Sequence, residues 1–281
     1  MCLRKTKFAF LLLILAILLG LSAWTATAAS TGDRKSIMNS KDGSELILIP
    51  AGEFLMGAPE KEGYDNEHPK HRVNLSAYYI AKYEVTNEQY AKFVEETQYQ
   101  AQGNWRDYFT SGRKKHPVVC VTWKDAAAYC KWAGLRLPSE AEWEKAARGT
   151  DGRIYPWGNK WSAASLNWSG PKDKKWKSWE AQGSLPTLLP TMPVGSFPSG
   201  ASPYGVMDLA GNVWEWCSDW YGVRFYQDSP VANPRGPDKG ESRILRGGSW
   251  STSDLNCLRS ANRNWSKPSG WDDSYGFRCA R

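Results

Sequence analysis

The sequence predicts a single α+β domain with little regular secondary structure, and three observations lead to that class. Helix-start signals are few, since a Ser or Thr cap precedes a helical pattern at only three places. Short apolar stretches of strand length lie between them. Glycine and proline, 25 and 16 residues in a chain of 281, punctuate the sequence so densely that long elements are not expected.

The first elements of the folded part are a strand and a helix. Leu46–Ile49 is a run of apolar residues with the length of a short strand. Thr86 followed by Gln89 has the pattern of a capping box, in which each side chain bonds the backbone N–H at the other position. This pattern predicts a helix that continues to about Glu96.

A second strand and two more helices follow. Val118–Trp123 is apolar and is predicted as a strand. Thr122 can cap a helix that runs through Trp132, with Gly134 as its stop. Ser139 begins the third helix.

The third helix is predicted from the capping-box pattern of Ser139 and Glu142, and Gly149 ends it. The stretch 157–202 shows almost no hydrophobic periodicity, so we expect irregular chain there. The segment 43–281 falls in the size range of one large domain and can bury a sizeable core.

Residues 1–28 have the layout of a signal peptide. A basic start precedes the apolar run Phe8–Leu21, which is short for a membrane span, and small residues suited to cleavage follow at Ala26–Ala28. We therefore expect export to the periplasm or the extracellular space, a linker at 29–42, and no membrane span after cleavage. An uncleaved N-terminal anchor is the alternative.

The charge pattern gives no indication of nucleic-acid binding. The formal net charge is +7 and dispersed, and the one basic cluster, Lys172–Lys177, is interpreted as a solvated loop. Tryptophan is abundant, with 16 residues. Most of these side chains should belong to the core, and some suit a groove that grips a peptide or a sugar.

Four phrases stand in a fixed order in the last half of the chain: RLPSEAEWEKAARG, YGVMDLAGNVWEWCSDW, ILRGGSW and GFRCA. Together they resemble the formylglycine-generating enzyme family, also called sulfatase-modifying factors, and the resemblance extends from Glu45 to the C-terminus. It implies a single domain of the C-type-lectin-like kind, with few short helices and twisted short strands. It also implies oxygen-dependent conversion of a substrate cysteine to formylglycine on copper(I) held by two thiolates.

The copper-binding pair of the family is incomplete in this chain. Catalytic members have a C-x4-C pair just after RGGS, and the matching positions here are Thr252 and Cys257. A hydroxyl is a poor ligand for copper(I), which prefers soft sulfur, so we do not expect copper to bind. An ungapped count from Trp250 makes Cys257 the second copper cysteine, whereas a count back from Gly276 makes it structural. Both interpretations remain open.

The resemblance also implies a groove for a peptide or protein partner. Trp214 and Ser249 match residues that flank the copper cysteines in the family, and Thr252 would lie beside them. Core packing of the indole and a turn role for the serine hydroxyl are the alternatives.

A calcium site is predicted in the phrase that begins at Asp208. Calcium prefers six to eight hard oxygens from carboxylates and backbone carbonyls. Carboxylates come from Asp208 and Glu215 and carbonyls from Leu209, Gly211 and Val213, and the family has a site at the matching positions. A second family site survives only in part, at Asn167, because Ser184–Val194 has no aspartate.

Five cysteines remain after signal-peptide removal, and an oxidising compartment favours disulfides. The resemblance implies a bridge between Cys130 and Cys279. Cys217 and Cys257 could form a second bridge, which would leave Cys120 unpaired.

Three functions are compatible with the sequence. We expect an exported maturation or accessory factor that binds a peptide or protein partner without copper-dependent cysteine oxidation. One alternative is a genuine formylglycine-generating oxidase, an oxygen-dependent oxidoreductase acting on C-x-P-x-R sequences. The other is a lectin-like binding module stabilised by calcium. Whether the protein is an enzyme therefore depends on Cys257.

Overall fold

The computed structural model of the chain describes residues 35–170 and 191–281. The predicted signal peptide, the basic cluster Lys172–Lys177 and most of the segment predicted to lack the second calcium ligand lie outside these ranges. Within them, no helix combines the length and the apolar character needed to cross a membrane.

The helices of the described residues are α1 (Asn87–Thr97), α2 (Trp123–Trp132) and α3 (Glu140–Arg148). Each begins at a capping box: the hydroxyls of Thr86, Thr122 and Ser139 accept the N3 backbone N–H, and the N3 side chain returns to the cap. The sequence signals for all three helix starts are therefore confirmed. Local hydrogen bonding fixes such starts without help from tertiary structure.

Within residues 35–170 and 191–281, nine short strands form three small sheets. The first joins β1 (Ser36–Met38), β2 (Glu45–Ile49) and β5 (Tyr78–Ala81), and the second pairs β3 (Gly52–Met56) with β4 (His71–Leu75). The third has the order β8 (Asn264–Ser266), β7 (Arg243–Arg246), β6 (Trp214–Trp220) and β9 (Tyr275–Gly276). All neighbours are antiparallel except β6 and β9. The predicted α+β class with few, short elements is confirmed.

Two predicted boundaries are wrong. Ser36–Met38 was expected in a linker but forms β1, which pairs with β2, so the folded domain begins before residue 43. The stretch Val118–Trp123 is buried but is not a strand. Cys120 has a φ of 55°, which interrupts an extended chain, and Trp123 already belongs to α2.

Helix α3 lies in the core although five of its nine residues are charged. All nine residues are buried. Glu144 accepts from the Gly57 N–H at 2.8 Å and pairs with Arg148 at 2.7 Å and Arg246 at 2.6 Å. Glu140 pairs with Arg263 at 2.7 Å. Buried charges persist when each is paired and hydrogen-bonded, and these partners join α3 to the third sheet.

The C-terminal segment forms backbone hydrogen bonds with several distant parts of the chain. Beyond β9, the Phe277 and Cys279 carbonyls accept from backbone N–H groups of Val85 and Ala81. Ala280 exchanges two backbone bonds with Arg136. The segment thus holds together the first sheet, the loop before α3 and the third sheet.

Candidate functional site

A tight loop after β7 carries three of the predicted site residues. Gly248 has a φ of 76°, and a Cβ there would lie 2.7 Å from Leu258 Cδ2 and 3.1 Å from the Cys257 carbonyl oxygen. Glycine at this position lets the start of the loop pack against its end. The Ser249 N–H donates to Thr252 Oγ1 over 2.9 Å, and both residues are buried.

Cys257 is half-buried at the end of this loop, in a 3-10 turn at Leu255–Leu258. Its thiol is in contact with the phenol of Tyr64, whose hydroxyl donates to Asp254 Oδ2 over 2.7 Å. Burial, and next the charge of Asp254, raise the pKa of the Cys257 thiol. The thiolate is the form that binds soft metals and attacks electrophiles, so these surroundings disfavour it.

A cleft of about 600 Å³ opens beside Cys257. Three aromatic residues, three asparagines and one aspartate contribute to its walls, together with the thiol: Tyr64, Tyr221, Trp265, Asn66, Asn262, Asn264 and Asp65. Its size is that of a small-molecule or peptide-anchor site. We call this the Cys257 cleft.

The other predicted groove residues do not line this cleft. Trp214 is 7% exposed and packs in the core with Trp216 and Phe277. Thr252 directs its hydroxyl to the Ser249 N–H and is also buried. The structure therefore brings Ser249, Thr252 and Cys257 into one loop, while the exposed surface beside that loop is formed by residues distant in sequence.

The structure draws no disulfide among the five cysteines of the described residues. Cys130 and Cys279 are buried side by side, and their sulfur groups are in hydrogen-bond contact. Cys217 is fully buried close to Asp219 and has its own surroundings, separate from those of Cys257. The disulfide between Cys130 and Cys279 stays a prediction, and its two sulfurs lie next to each other.

The predicted calcium-binding phrase forms a tight turn into β6. Asp208 has a φ of 59° and is 8% exposed, and its Oδ2 accepts from the Gly195 N–H at 2.6 Å. Burial raises the pKa of Asp208 to about 6. Asn167 lies against this turn: its carbonyl oxygen accepts the Asn212 N–H at 2.9 Å and would be 2.2 Å from a Cβ on Gly211.

The negative charge of Glu215 is already balanced by Arg278, a residue that the sequence pattern did not connect with this site. Arg278 donates to Glu215 Oε2 at 2.6 Å and to Oε1 at 2.7 Å, and the Trp143 indole donates to Oε2 at 2.8 Å. A carboxylate has about four acceptor positions, so at most one, on Oε1, is left for a cation. Leu209 and Val213 lie in the same turn and are buried.

Glu84 is a second acid that sequence reasoning missed. It is 1% exposed, its Oε2 accepts from Asn212 Nδ2 at 2.8 Å, and its Oε1 has no partner among the described residues. Burial, and next the charges of Asp208 and Glu215, raise its pKa well above the usual range. No group of three or more His, Cys, Asp or Glu side chains is placed to hold a metal ion within 35–170 and 191–281. Backbone and amide oxygens would have to complete any calcium shell here.

Comparison with known proteins agrees with this geometry. The family model for sulfatase-modifying factor enzyme 1-like domains matches residues 34–281. The chain is 37% identical to a formylglycine-generating enzyme of Streptomyces coelicolor, over 83% of this chain and 88% of that enzyme. It is 33% identical to the mouse protein named inactive C-alpha-formylglycine-generating enzyme 2, over 84% and 85% of the two chains. Among solved structures, PvdO from Pseudomonas aeruginosa superposes with a TM-score of 0.72 at 30% identity, covering 88% of this chain and 97% of that one.

Proposed function

The chain belongs to the family of sulfatase-modifying factor enzyme 1-like domains, and from that premise we propose that it is an exported accessory or maturation factor. In this proposal it binds a peptide or protein partner and does not oxidise a cysteine through copper. Export is supported by the signal-peptide pattern of residues 1–28. Relatives of nearly equal identity are named as an active and as an inactive enzyme, so the site residues must decide.

Thr252 is the observation that carries the proposal. The resemblance to the family matches it to the first copper cysteine, and its hydroxyl accepts the Ser249 N–H inside the loop. Copper(I) would then have one sulfur ligand, Cys257, whose thiol has a raised pKa. Soft-metal affinity depends on the number of thiolates and falls when a thiol must first lose its proton. The single sulfur ligand and the raised pKa of its thiol therefore both weaken copper(I) binding.

The decisive experiment is mass spectrometry of a C-x-P-x-R peptide incubated with copper-loaded protein and oxygen. The Streptomyces coelicolor enzyme serves as the positive control. We expect no aldehyde product with the unmodified protein. Robust turnover that Cys257→Ser abolishes would refute the proposal and establish the oxidase alternative.

A matched variant separates a missing ligand from a misplaced loop. Thr252→Cys restores the pair of sulfur atoms and replaces the hydroxyl that accepts the Ser249 N–H by a thiol, which is a weaker acceptor. If Cys257 occupies the second ligand position, the variant should bind copper(I) measurably more tightly than the unmodified protein. Unchanged affinity would assign Cys257 to the structural interpretation, which leaves the accessory function intact.

We also propose that calcium binds at the turn formed by Asp208–Glu215. Support comes from two buried acids, Asp208 and Glu84, whose pKa values are raised, and from Oε1 of Glu84, which has no partner among the described residues. A divalent cation beside them would favour their ionised forms. The carbonyls of Leu209, Gly211 and Val213 are the candidates to complete the shell.

A further inference from the structure

We propose that Arg243 and the two tryptophans that enclose it bind a single carboxylate group of a partner molecule. We call the group of Trp123, Trp220 and Arg243 the Arg243 clamp. The inference goes beyond the accessory function and does not rest on it, because none of these residues lines the Cys257 cleft. Three observations lead to it: a guanidinium fixed between two indole rings, a terminal nitrogen without a partner, and the lack of an ion pair with any acid among the described residues.

The guanidinium of Arg243 lies between two indole rings. Its Cζ atom is 4.0 Å from the ring centroid of Trp123 and 3.5 Å from that of Trp220. Trp123 is the first residue of α2, and Trp220 ends β6 directly opposite Arg243 in β7. The two indole faces hold the planar group in one orientation. A ligand can therefore reach the guanidinium only along its edge, where the N–H groups point.

The protein uses only part of that edge. Nη1 of Arg243 donates to the Ser218 carbonyl at 2.5 Å, and Nε is buried without a partner among the described residues. Nη2 also makes no hydrogen bond with them, but in contrast to Nε it is not buried. A guanidinium has five N–H donors and no acceptor. The donors of Nη2 are therefore available to an acceptor that comes from outside the chain.

No acidic side chain within residues 35–170 and 191–281 forms an ion pair with Arg243. Burial lowers its pKa, and Asp219 opposes this only through its charge at longer range. The buried arginines 246, 263 and 278 are different, because each pairs with a buried glutamate. A partly desolvated cation without a counter-charge gains more from a bound anion than a fully hydrated cation does.

The charges near the clamp favour a carboxylate over a phosphate group. A phosphate group carries a charge of about −1.5 to −2 at neutral pH, whereas the clamp supplies one positive charge. The charge of Asp219 acts on Arg243, and Glu241 is exposed two residues away, so a dianion would be repelled more strongly than a monoanion. A carboxylate is also planar and matches the geometry of the guanidinium edge.

The clamp also has the composition and the rigidity of an interface anchor. Arg and Trp are over-represented among the residues that dominate binding at protein interfaces. A free arginine loses side-chain entropy when it binds, but the guanidinium of Arg243 is already fixed by two rings, which lowers that cost. The competing interpretation is that the two stacked contacts only hold α2 against β6 and β7. The experiment must separate a binding site from such a structural contact.

NMR of protein labelled with [15N]arginine tests the proposal at the Nε–H signal of Arg243. That group is buried, which protects it from exchange with water, and Arg243→Lys assigns its signal. The probe is N-acetylglutamate N-methylamide, and the corresponding glutamine compound is its neutral control. We expect a saturable shift with the glutamate probe and an affinity at least about tenfold lower for the glutamine compound, because a hydrogen bond to a charged group is the stronger one.

Arg72 is the matched control residue, since it is exposed and already pairs with Glu53 at 2.9 Å. Its signal should not saturate over the same titration. Saturation transfer to the glutamate probe should be lost in Arg243→Gln and kept in Arg72→Gln. Circular dichroism checks that both variants fold, and if Arg243→Gln does not, the titration of the unmodified protein decides alone. N-acetylalanine, titrated in parallel, tells whether a C-terminal carboxylate is accepted as well as a side-chain carboxylate.

Several results would overturn the proposal. A shift at Arg243 that does not saturate, or that equals the shift at Arg72, would make the clamp an ordinary surface cation with a structural role. Equal affinity for the glutamine compound would exclude recognition of charge, and tighter binding of inorganic phosphate would exclude the preference for a carboxylate. The oxidation test on the C-x-P-x-R peptide is scored separately, so failure of one proposal leaves the other standing.

Discussion

Asp219 offers a sharp test of how buried charge limits the stability of this domain. It lies in β6, is 3% exposed, and its Oδ2 accepts from the Glu140 N–H at 3.0 Å and the Ser218 hydroxyl at 2.8 Å. Burial, and next the charge of Glu140, raise the pKa of Asp219 to about 7. Asn at this position keeps an acceptor for both donors and carries no charge at any pH, so Asp219→Asn isolates the cost of ionisation.

The direction in which the free energy of unfolding changes with pH follows from the linkage between protonation and folding. An unfolded aspartate has a pKa of about 3.9, so the folded state holds the Asp219 proton more tightly. The stability from this group is fully present below pH 4 and is lost as the pH rises through 7. Between pH 5 and pH 8, integration of the two titrations gives a loss of about 2.5 kcal/mol in the unmodified protein. The side chain of Asp219→Asn does not titrate, so this position contributes no change in the free energy of unfolding of the variant between pH 5 and pH 8.

Urea unfolding followed by circular dichroism at pH 5, 6, 7 and 8 measures the difference. We expect the free energy of unfolding of Asp219→Asn to exceed that of the unmodified protein by a margin that widens by about 2.5 kcal/mol over this range. Asp228→Asn, at an exposed position, should show no such trend. A margin that stays constant with pH would refute the reasoning, since it would mean that Asp219 is ionised in the fold throughout.

Three further predictions follow from the site and the core. If calcium binds the Asp208 turn, chelation with EDTA should lower the melting temperature, and the lost stability is about 2.7 kcal/mol for calcium at about a hundred times its Kd. The variants Glu84→Gln and Asp208→Asn should remove the effect of EDTA. A melting curve of the unmodified protein that EDTA does not change would count against the site. Non-reducing peptide mapping of exported protein should recover Cys130 linked to Cys279, whereas a Cys120–Cys130 peptide would contradict the pairing. Glu144→Ala should cost about 3–5 kcal/mol, because it leaves Arg148 buried without its carboxylate and Arg246 with only the longer contact to Glu140 at 3.5 Å. Glu53→Ala, which breaks an exposed pair with Arg72, should cost less than about 1 kcal/mol. Equal losses of unfolding free energy in urea would disprove this distinction between buried and exposed pairs.

The helices could be predicted from the sequence because their signals are local. Thr86, Thr122 and Ser139 each bond to residues three positions away, so the pattern is complete within one turn. The prediction of a strand at Val118–Trp123 was wrong because the conformation of this stretch depends on distant contacts. Its burial is set by tertiary packing, and nothing in the run of apolar residues indicates that Cys120 has a positive φ.

The site was only partly predictable. The phrases around Asp208 and Ser249 located the two relevant turns, because the motif residues are contiguous. The Cys257 cleft combines Tyr64 with Cys257 and Trp265, about two hundred positions further along the chain, and a single sequence contains no sign of such contacts. The same holds for Arg278, whose bond to Glu215 changes what that carboxylate can offer a cation.

The hydrogen bonds of the last seven residues bear on how the chain matures. Phe277, Cys279 and Ala280 complete the backbone pairing of Val85, Ala81 and Arg136, so these earlier segments lack their partners until residues 277–280 have been made. A chain that still lacks these residues cannot finish its core. Contacts that span most of the sequence also form slowly. The core should therefore close in one late step, when residues 277–280 dock against Val85, Ala81 and Arg136.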